Sequence, residues 1–173
     1  MIRIREATDT DVAQIREIFE ATYGTDYAYS EFYEEPYLKK LIYSDDTLML
    51  VAEEAKSGQV VGTASVVLES GAYTDLVGEF GRLAVHPEYW GQEIGSLLLE
   101  ERLNRVGDRL HVGFMEARVS HPHSLKNGLR YGFAAVGFLP LKLRFGDERE
   151  NAAWLVKYFG EALDLRRNHP RIC

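Results

Sequence analysis

The segment RLAVHPEYWGQEIGSLLLEERL, Arg82 to Leu103, passes from an extended apolar run through a short polar turn into a leucine-rich helical pattern. The run ends a strand predicted over Glu79–Val85, and Pro87, with no amide hydrogen to give a ladder, terminates it. Under strict alternation Glu79, Gly81, Leu83 and Val85 would share one face, with Phe80, Arg82 and Ala84 on the other. The helix predicted from Ile94 to Val106 carries Ile94, Leu97, Leu98, Leu99, Leu103 and Val106 over a broad arc, so it should be largely buried. Its first turn offers orphan amide hydrogens and about half a positive charge. Gly91 and Gly95 would let a bulky anion approach that backbone closely. The expectation is a diphosphate site made of amide hydrogens rather than lysines. The alternative is that both glycines serve turn geometry alone.

Outward from this segment, Ile2 and Ile4 alternate with Arg3 and Arg5 as in a strand. Val12, Ile15, Ile18 and Phe19 follow at helical spacing, with Thr8 or Thr10 available as N-cap. The aromatic stretch SEFYEEPYLKKLIYS is interrupted by Pro36, which predicts a loop and then a short helix from Tyr37 to Tyr43. TLMLVAEEA and QVVGTASVVLES flank the turn Lys56-Ser57-Gly58 and predict a hairpin. RLHVGFMEARV reads as a strand and PHSLKNGLRYG as a helix. FAAVGFLPLKLRFG and NAAWLVKYFG then read as two late strands. The order β, α, α, β, β, β, α, β, α, β, β predicts an α/β (α+β) domain: one central mixed, mostly antiparallel sheet flanked by helices. Residues 1–160 form one domain in this reading, and 161–173 a C-terminal tail.

The chain has 173 residues, enough to bury roughly two-thirds of its unfolded surface in one domain. A net charge of −7 argues against sequence-independent nucleic-acid binding. The cluster Arg166, Arg167, His169 and Arg171 reads as a solvated tail. The single cysteine, Cys173, leaves no internal disulfide and suits a reducing compartment. No apolar run approaches the roughly 20 residues of a membrane span. The expected location is cytoplasmic, with no nucleic-acid or membrane partner.

LAVHPEYWGQEIGSLLLEE closely resembles the acetyl-CoA-binding segment of the GNAT N-acetyltransferase family. There a strand ending in -AV-P- leads into Arg/Gln-x-x-Gly-x-Gly/Ala and a leucine-rich helix. The order of elements agrees over nearly the whole chain, from IRIREATDTDVAQI to YGFAAVGF. The resemblance implies the GNAT-like acyl-CoA N-acyltransferase fold. It implies a strand splayed from its neighbour to pair with pantetheine, and acetyl-CoA as co-substrate with no metal. Leu83, Ala84 and Val85 would line the pantetheine, and Gly91, Gln92, Glu93, Ile94, Gly95 and Ser96 would wrap the diphosphate. Two positions depart from the pattern: Trp90 replaces Arg/Gln, and Glu93 replaces the first motif glycine. A carboxylate about 4 Å from a phosphate would cost roughly 1–4 kcal/mol, so Glu93 is expected to turn outward and lend only its amide. Trp90 either stacks on the cofactor or simply packs.

Acyl transfer to an amine needs a base for the amine proton and an acid or water for the leaving thiolate. A glutamate matching Glu79 is the base in some members of the family; the bland reading is a hairpin-end charge. The family's helix Asn-x-x-Ala/Ser-x-x-x-Tyr-x-x-x-Gly-Phe puts His121 at the Asn, Ser124 at the small residue and Gly128 at the tyrosine. His121, Ser124 or water would therefore have to supply the proton, and helix capping is the bland reading of Ser124. His86, before a proline, reads as a loop residue. Tyr23, Tyr27, Tyr29, Phe32, Tyr33 and Tyr37 lie where the acceptor-binding helices of the family lie, with Asp26, Glu31, Glu34 and Glu35 suited to a cationic amine. The implied activity is direct acetyl transfer to a primary amine of a small molecule or peptide. A catalytically degenerate acyl-CoA-binding or regulatory domain is the second reading, and assembly into a homodimer stays open.

Overall fold

The structure is a computed structural model and describes residues 1–69 and 76–164. Seven strands run β1 Ile2–Glu6, β2 Thr47–Glu54, β3 Val60–Glu69, β4 Val77–Val85, β5 Val112–Arg118, β6 Ala134–Phe145 and β7 Glu148–Tyr158. Among the described residues four α-helices flank them: α1 Val12–Tyr23, α2 Glu35–Ile42, α3 Ile94–Val106 and α4 His123–Arg130. The strands form one sheet in the order β1-β2-β3-β4-β5-β7-β6, antiparallel throughout except for the parallel pair β4–β5. Class and element order are as the sequence predicts. No described helix is long and apolar enough to cross a membrane.

β2 shows why helices cover both faces. Met49, Leu50, Val51 and Ala52 are all buried, a continuous apolar run of the kind that a doubly covered strand requires. Met49 and Val51 pack with Val12, Ile15, Ile18 and Phe19 of α1, while Leu50 and Ala52 pack with Ile94 and Leu98 of α3. Leu99 and Val106 of α3 continue into a third cluster with Phe80, Met115 and Leu155.

Three local expectations change. The second helix begins at Glu35, not Tyr37, because Pro36 sits in its first turn, where a missing amide hydrogen costs nothing. α1 begins at Val12 after a 3-10 turn over Asp9–Asp11. There the Asp11 carboxylate accepts from the Thr8 amide at 2.8 Å and is gripped by Arg5 at 2.7 and 2.8 Å. The third change matters most. In the β3–β4 ladder Ser65 pairs with Gly81 and Thr63 with Ala84, so Arg82 and Leu83 together oppose Ala64. This bulge puts Arg82 at φ 54° and inverts the alternation after it. Phe80, Leu83 and Val85 therefore pack toward α3 and α4. Glu79 shares the opposite face with Gly81 and Ala84, not with Leu83 and Val85 as strict alternation requires.

At the C-terminal end, Glu161–Asp164 form a turn. The rest of the expected tail, with the basic cluster and Cys173, lies outside the described residues.

α4 lies so close to the sheet that Gly128 is buried. A Cβ added there would stand 2.8 Å from Met115 Sδ and 2.9 Å from Leu155 Cδ2. The Gly128→Ala substitution should therefore cost about 1–3 kcal/mol through overpacking, measured as a lower urea midpoint with an unchanged m-value.

Candidate active site

β4 and β5 are paired only where Val77–Glu79 meet Val112–Phe114. Beyond those three pairs Phe80–Val85 lie beside β3 alone and Met115–Arg118 beside β7 alone. A cavity of about 110 Å³ fills the gap between the diverging strands. Its walls come from β4 and β5, from Ser124 of α4, from Leu143 and Phe145 of β6, and from Tyr23, Tyr27 and Tyr29 at and after the end of α1.

At the outer end of β4 the chain turns into α3. Gly91 (φ 78°) and Glu93 (φ 61°) both take left-handed backbone, which explains why glycine suits each position. The amides of Ser96 and Leu97 bond to the Glu93 carbonyl at 2.9 and 3.1 Å. Among the described residues, none of the amides from Gly91 to Gly95 has a protein acceptor. The helix mouth is open, as an anion site requires. Glu93 is exposed, and its carboxylate lies in solvent 3.3 Å from the Arg130 guanidinium. Asn127 of α4, which sequence reasoning missed, reaches the mouth by accepting from the Ser96 hydroxyl at 3.1 Å. Trp90 anchors its indole N–H on the strand, donating to the Val85 carbonyl at 2.7 Å beside a 3.3 Å bond from the Thr22 hydroxyl, while the residue stays 61% exposed. His86 accepts from the Glu88 amide at 3.4 Å and acts as a turn residue.

Glu79 and Ser124 both border the cavity. Arg82 lies 2.9 Å from Glu79 Oε2, while Glu79 Oε1 curls over Gly81, where a Cβ would meet it at 2.9 Å. His121 is exposed, contacts the Ser120 hydroxyl through Nδ1 at 3.1 Å and does not border the cavity. Tyr131 points to Glu100 at 3.4 Å and stays out of the cavity as well. The position where the family carries its tyrosine, Gly128, faces the sheet and has no room for a ring. The cavity phenols come instead from Tyr23, Tyr27 and Tyr29, each pushed up in pKa chiefly by burial. Asp26, Glu31, Glu34 and Glu35 do not border the cavity; its carboxylates are Glu79 and Glu116. Glu116 and Arg118 lie on one face of β5, opposite buried Met115 and Ala117, a charged alternation visible in FMEAR.

α3 carries one surprise. Leu97 is 39% exposed, while Arg102 is 0% exposed. Arg102 continues the buried row Leu98, Arg102, Val106, a spacing that marks it in the sequence. Its Nε donates to the Leu98 carbonyl at 3.2 Å, and Nη1 to the carbonyls of Ser65 at 3.0 Å and Gly81 at 3.3 Å. Burial pushes the guanidinium down to about 9, so it is still charged at neutral pH.

Residues 45–134, just over half of the chain, match the family model of the acetyltransferase (GNAT) domain. The chain belongs to the GNAT acetyltransferase family. The solved structures agree on the fold. A phosphinothricin acetyltransferase from Sinorhizobium meliloti in complex with acetyl-CoA superimposes with TM-score 0.81 at 19% identity, covering 97% of this chain and 94% of that one. A putative acetyltransferase from Salmonella typhimurium with its cofactor acetyl-CoA gives 0.75 at 20% identity, over 100% and 99%. The ribosomal-protein-S18-alanine N-acetyltransferase from Escherichia coli gives 0.74 at 18%, over 92% and 95%. Among curated proteins, none matches the sequence. GNAT neighbours thus include acetyl-CoA complexes, and their acceptors range from small molecules to protein.

In this GNAT chain the left-handed Glu93 is the strained member of the turn. The Glu93→Gly substitution should raise stability by about 0.5–1 kcal/mol, the relief of left-handed strain outweighing the added chain entropy. It should shift the Kd for acetyl-CoA by no more than about fivefold, since the carboxylate is solvated. Thermal unfolding and calorimetry would measure the two effects.

Proposed function

We propose that this protein transfers the acetyl group of acetyl-CoA directly to a primary amine of a small molecule or peptide. The observation that carries this reading is the junction of two features: an open helix mouth with free amides, and a strand edge left bare where β4 leaves β5. Gly91, Gln92, Glu93, Ile94 and Gly95 would hold the diphosphate through backbone amides, and Ser96, whose amide is taken by the Glu93 carbonyl, would border it with its hydroxyl. The strand end Leu83–Val85 would hold the pantetheine arm. Because Trp90 and Thr22 already use the Val85 carbonyl, Leu83 and Ala84 supply the backbone groups for that arm.

Bound there, acetyl-CoA supplies an activated acyl thioester. Glu79 stands on the other side of the strand, facing the tyrosines after α1, and would accept the proton released by the amine. Its pairing with Arg82 uses one carboxylate oxygen and leaves Oε1 for that task. The bulge thus separates apolar side chains for the cofactor from the base for the acceptor. Ser124, the hydroxyl of α4 that borders the cavity, would return a proton to the sulfur. Water is sufficient as well, because a thiol with pKa near the roughly 8.5 of cysteine is a tolerable leaving group. His121, outside the cavity, takes no part in this scheme.

The packed Gly128 favours a second reading, an acyl-CoA-binding domain with little turnover, since no phenol can stand at the usual place. Calorimetry should give a Kd near micromolar for acetyl-CoA; no detectable binding would overturn both readings. Thiol release with a panel of amines then separates them. In the transferase, Glu79→Gln should lower the rate about 100-fold, most severely at low pH where the amine is protonated. An unchanged pH profile would remove Glu79 from the role of base.

A further inference from the structure

Four charged side chains bordering the cavity besides Arg102 are matched. Arg82 has the Glu79 carboxylate at 2.9 Å as its counter-charge, although its buried Nη1 makes no hydrogen bond; Arg118 has both oxygens of Glu150 at 2.6 and 2.8 Å, and Glu116 has Lys142 at 3.7 Å. Arg102 has no carboxylate within ion-pair distance among the described residues. Its Nε and Nη1 are used by backbone carbonyls, bonds that a neutral donor could also make, and its Nη2 is buried with no partner at all. A guanidinium in this state has a donor edge and a charge that the protein itself does not satisfy.

We propose that Arg102 is the receptor for a carboxylate that one of the two reactants carries into the cavity between β4 and β5. The inference rests on the transferase reading and specifies its substrate class. The cavity, about 110 Å³, is several times the roughly 10–15 Å³ that one water needs. Three guanidinium groups border it against two carboxylates, an imbalance of one positive charge that a single carboxylate neutralises. The planar fork of arginine suits that group better than an ammonium would. Arg102 enters from α3, on the cofactor side of the strand, and its Nη1 touches the Gly81 carbonyl beside the bulge. The carboxylate has two sources: the acyl chain of a dicarboxylic thioester, malonyl- or succinyl-CoA, or the α-carboxylate of an amino-acid acceptor. In either case the amine forms the C–N bond as the C–S bond breaks. The amine proton leaves to Glu79, the sulfur takes one from Ser124 or water, and the carboxylate remains unreacted on Arg102.

Two arms of one experiment distinguish the sources. Wild-type protein is titrated calorimetrically with acetyl-, malonyl- and succinyl-CoA. Thiol release is then compared between alanine and ethylamine and between leucine and isoamylamine. A carboxylate-bearing reactant should be preferred about tenfold or more in one arm. The preference should vanish in Arg102→Met and survive in part in Arg102→Lys, which keeps the charge. Acetyl-CoA binding with no carboxylate preference in either arm would overturn the proposal and leave the transferase reading intact. A preference that persists undiminished in Arg102→Met would also overturn it, by reducing Arg102 to a brace for the bulge. Binding of no acyl-CoA would remove both. Should Arg102→Met fail to fold by circular dichroism, the wild-type preference and its reduction in Arg102→Lys decide the matter.

Discussion

The separation of β4 from β5 is the constraint on which the molecule depends. Within a continuous sheet the backbone groups of Phe80–Val85 would be used up on both edges. Here one edge is bare over that length. Buried backbone donors and acceptors are rarely left unpaired, so a bare edge inside a fold is a place for something to bind. The orphan amides at the start of α3 add a second unsatisfied surface at the end of the same strand. Together they make a track of main-chain groups from the helix mouth toward the cavity, interrupted at the Val85 carbonyl that Trp90 and Thr22 already use.

The bulge at Arg82 gives that track its chemistry. By placing two residues opposite Ala64 it turns Leu83 and Val85 toward α3 while leaving Glu79 among the tyrosines. One inserted residue thus sorts apolar and acidic side chains onto opposite sides of a strand. Arg102 reaches the same point from below and bonds the Gly81 carbonyl. A buried cation beside a bulge holds the local backbone and sets a positive potential under the cavity, two effects that arise from one side chain.

Packing explains where this protein departs from the usual family pattern. α4 rests on Met115 and Leu155 through Gly128, so the usual tyrosine position faces the sheet. Phenols reach the cavity from the end of α1 and the segment after it instead, where desolvation keeps them protonated. Glu93 stands in for a motif glycine with left-handed backbone and a solvated carboxylate, a substitution that alters strain more than it alters the mouth.

The sequence by itself determined the order of elements, the end of β4 at Pro87, the helix mouth at Gly91–Gly95 and the leucine-rich row of α3. All of these are encoded by local periodicity and turn chemistry within a few residues. The row even marked Arg102, a charge at the spacing of buried leucines, though spacing does not say what surrounds it. Only the tertiary structure decided which face Glu79 occupies, because a bulge is defined by the register of the partner strand and leaves no local mark in GEFGRLAV. Likewise it brought Glu116, Arg118 and Asn127 to the site, and left His121 outside, through contacts between segments some 30 or more residues apart in the chain. Periodicity reports which side of its own element a residue occupies; what stands across from it depends on how the elements dock.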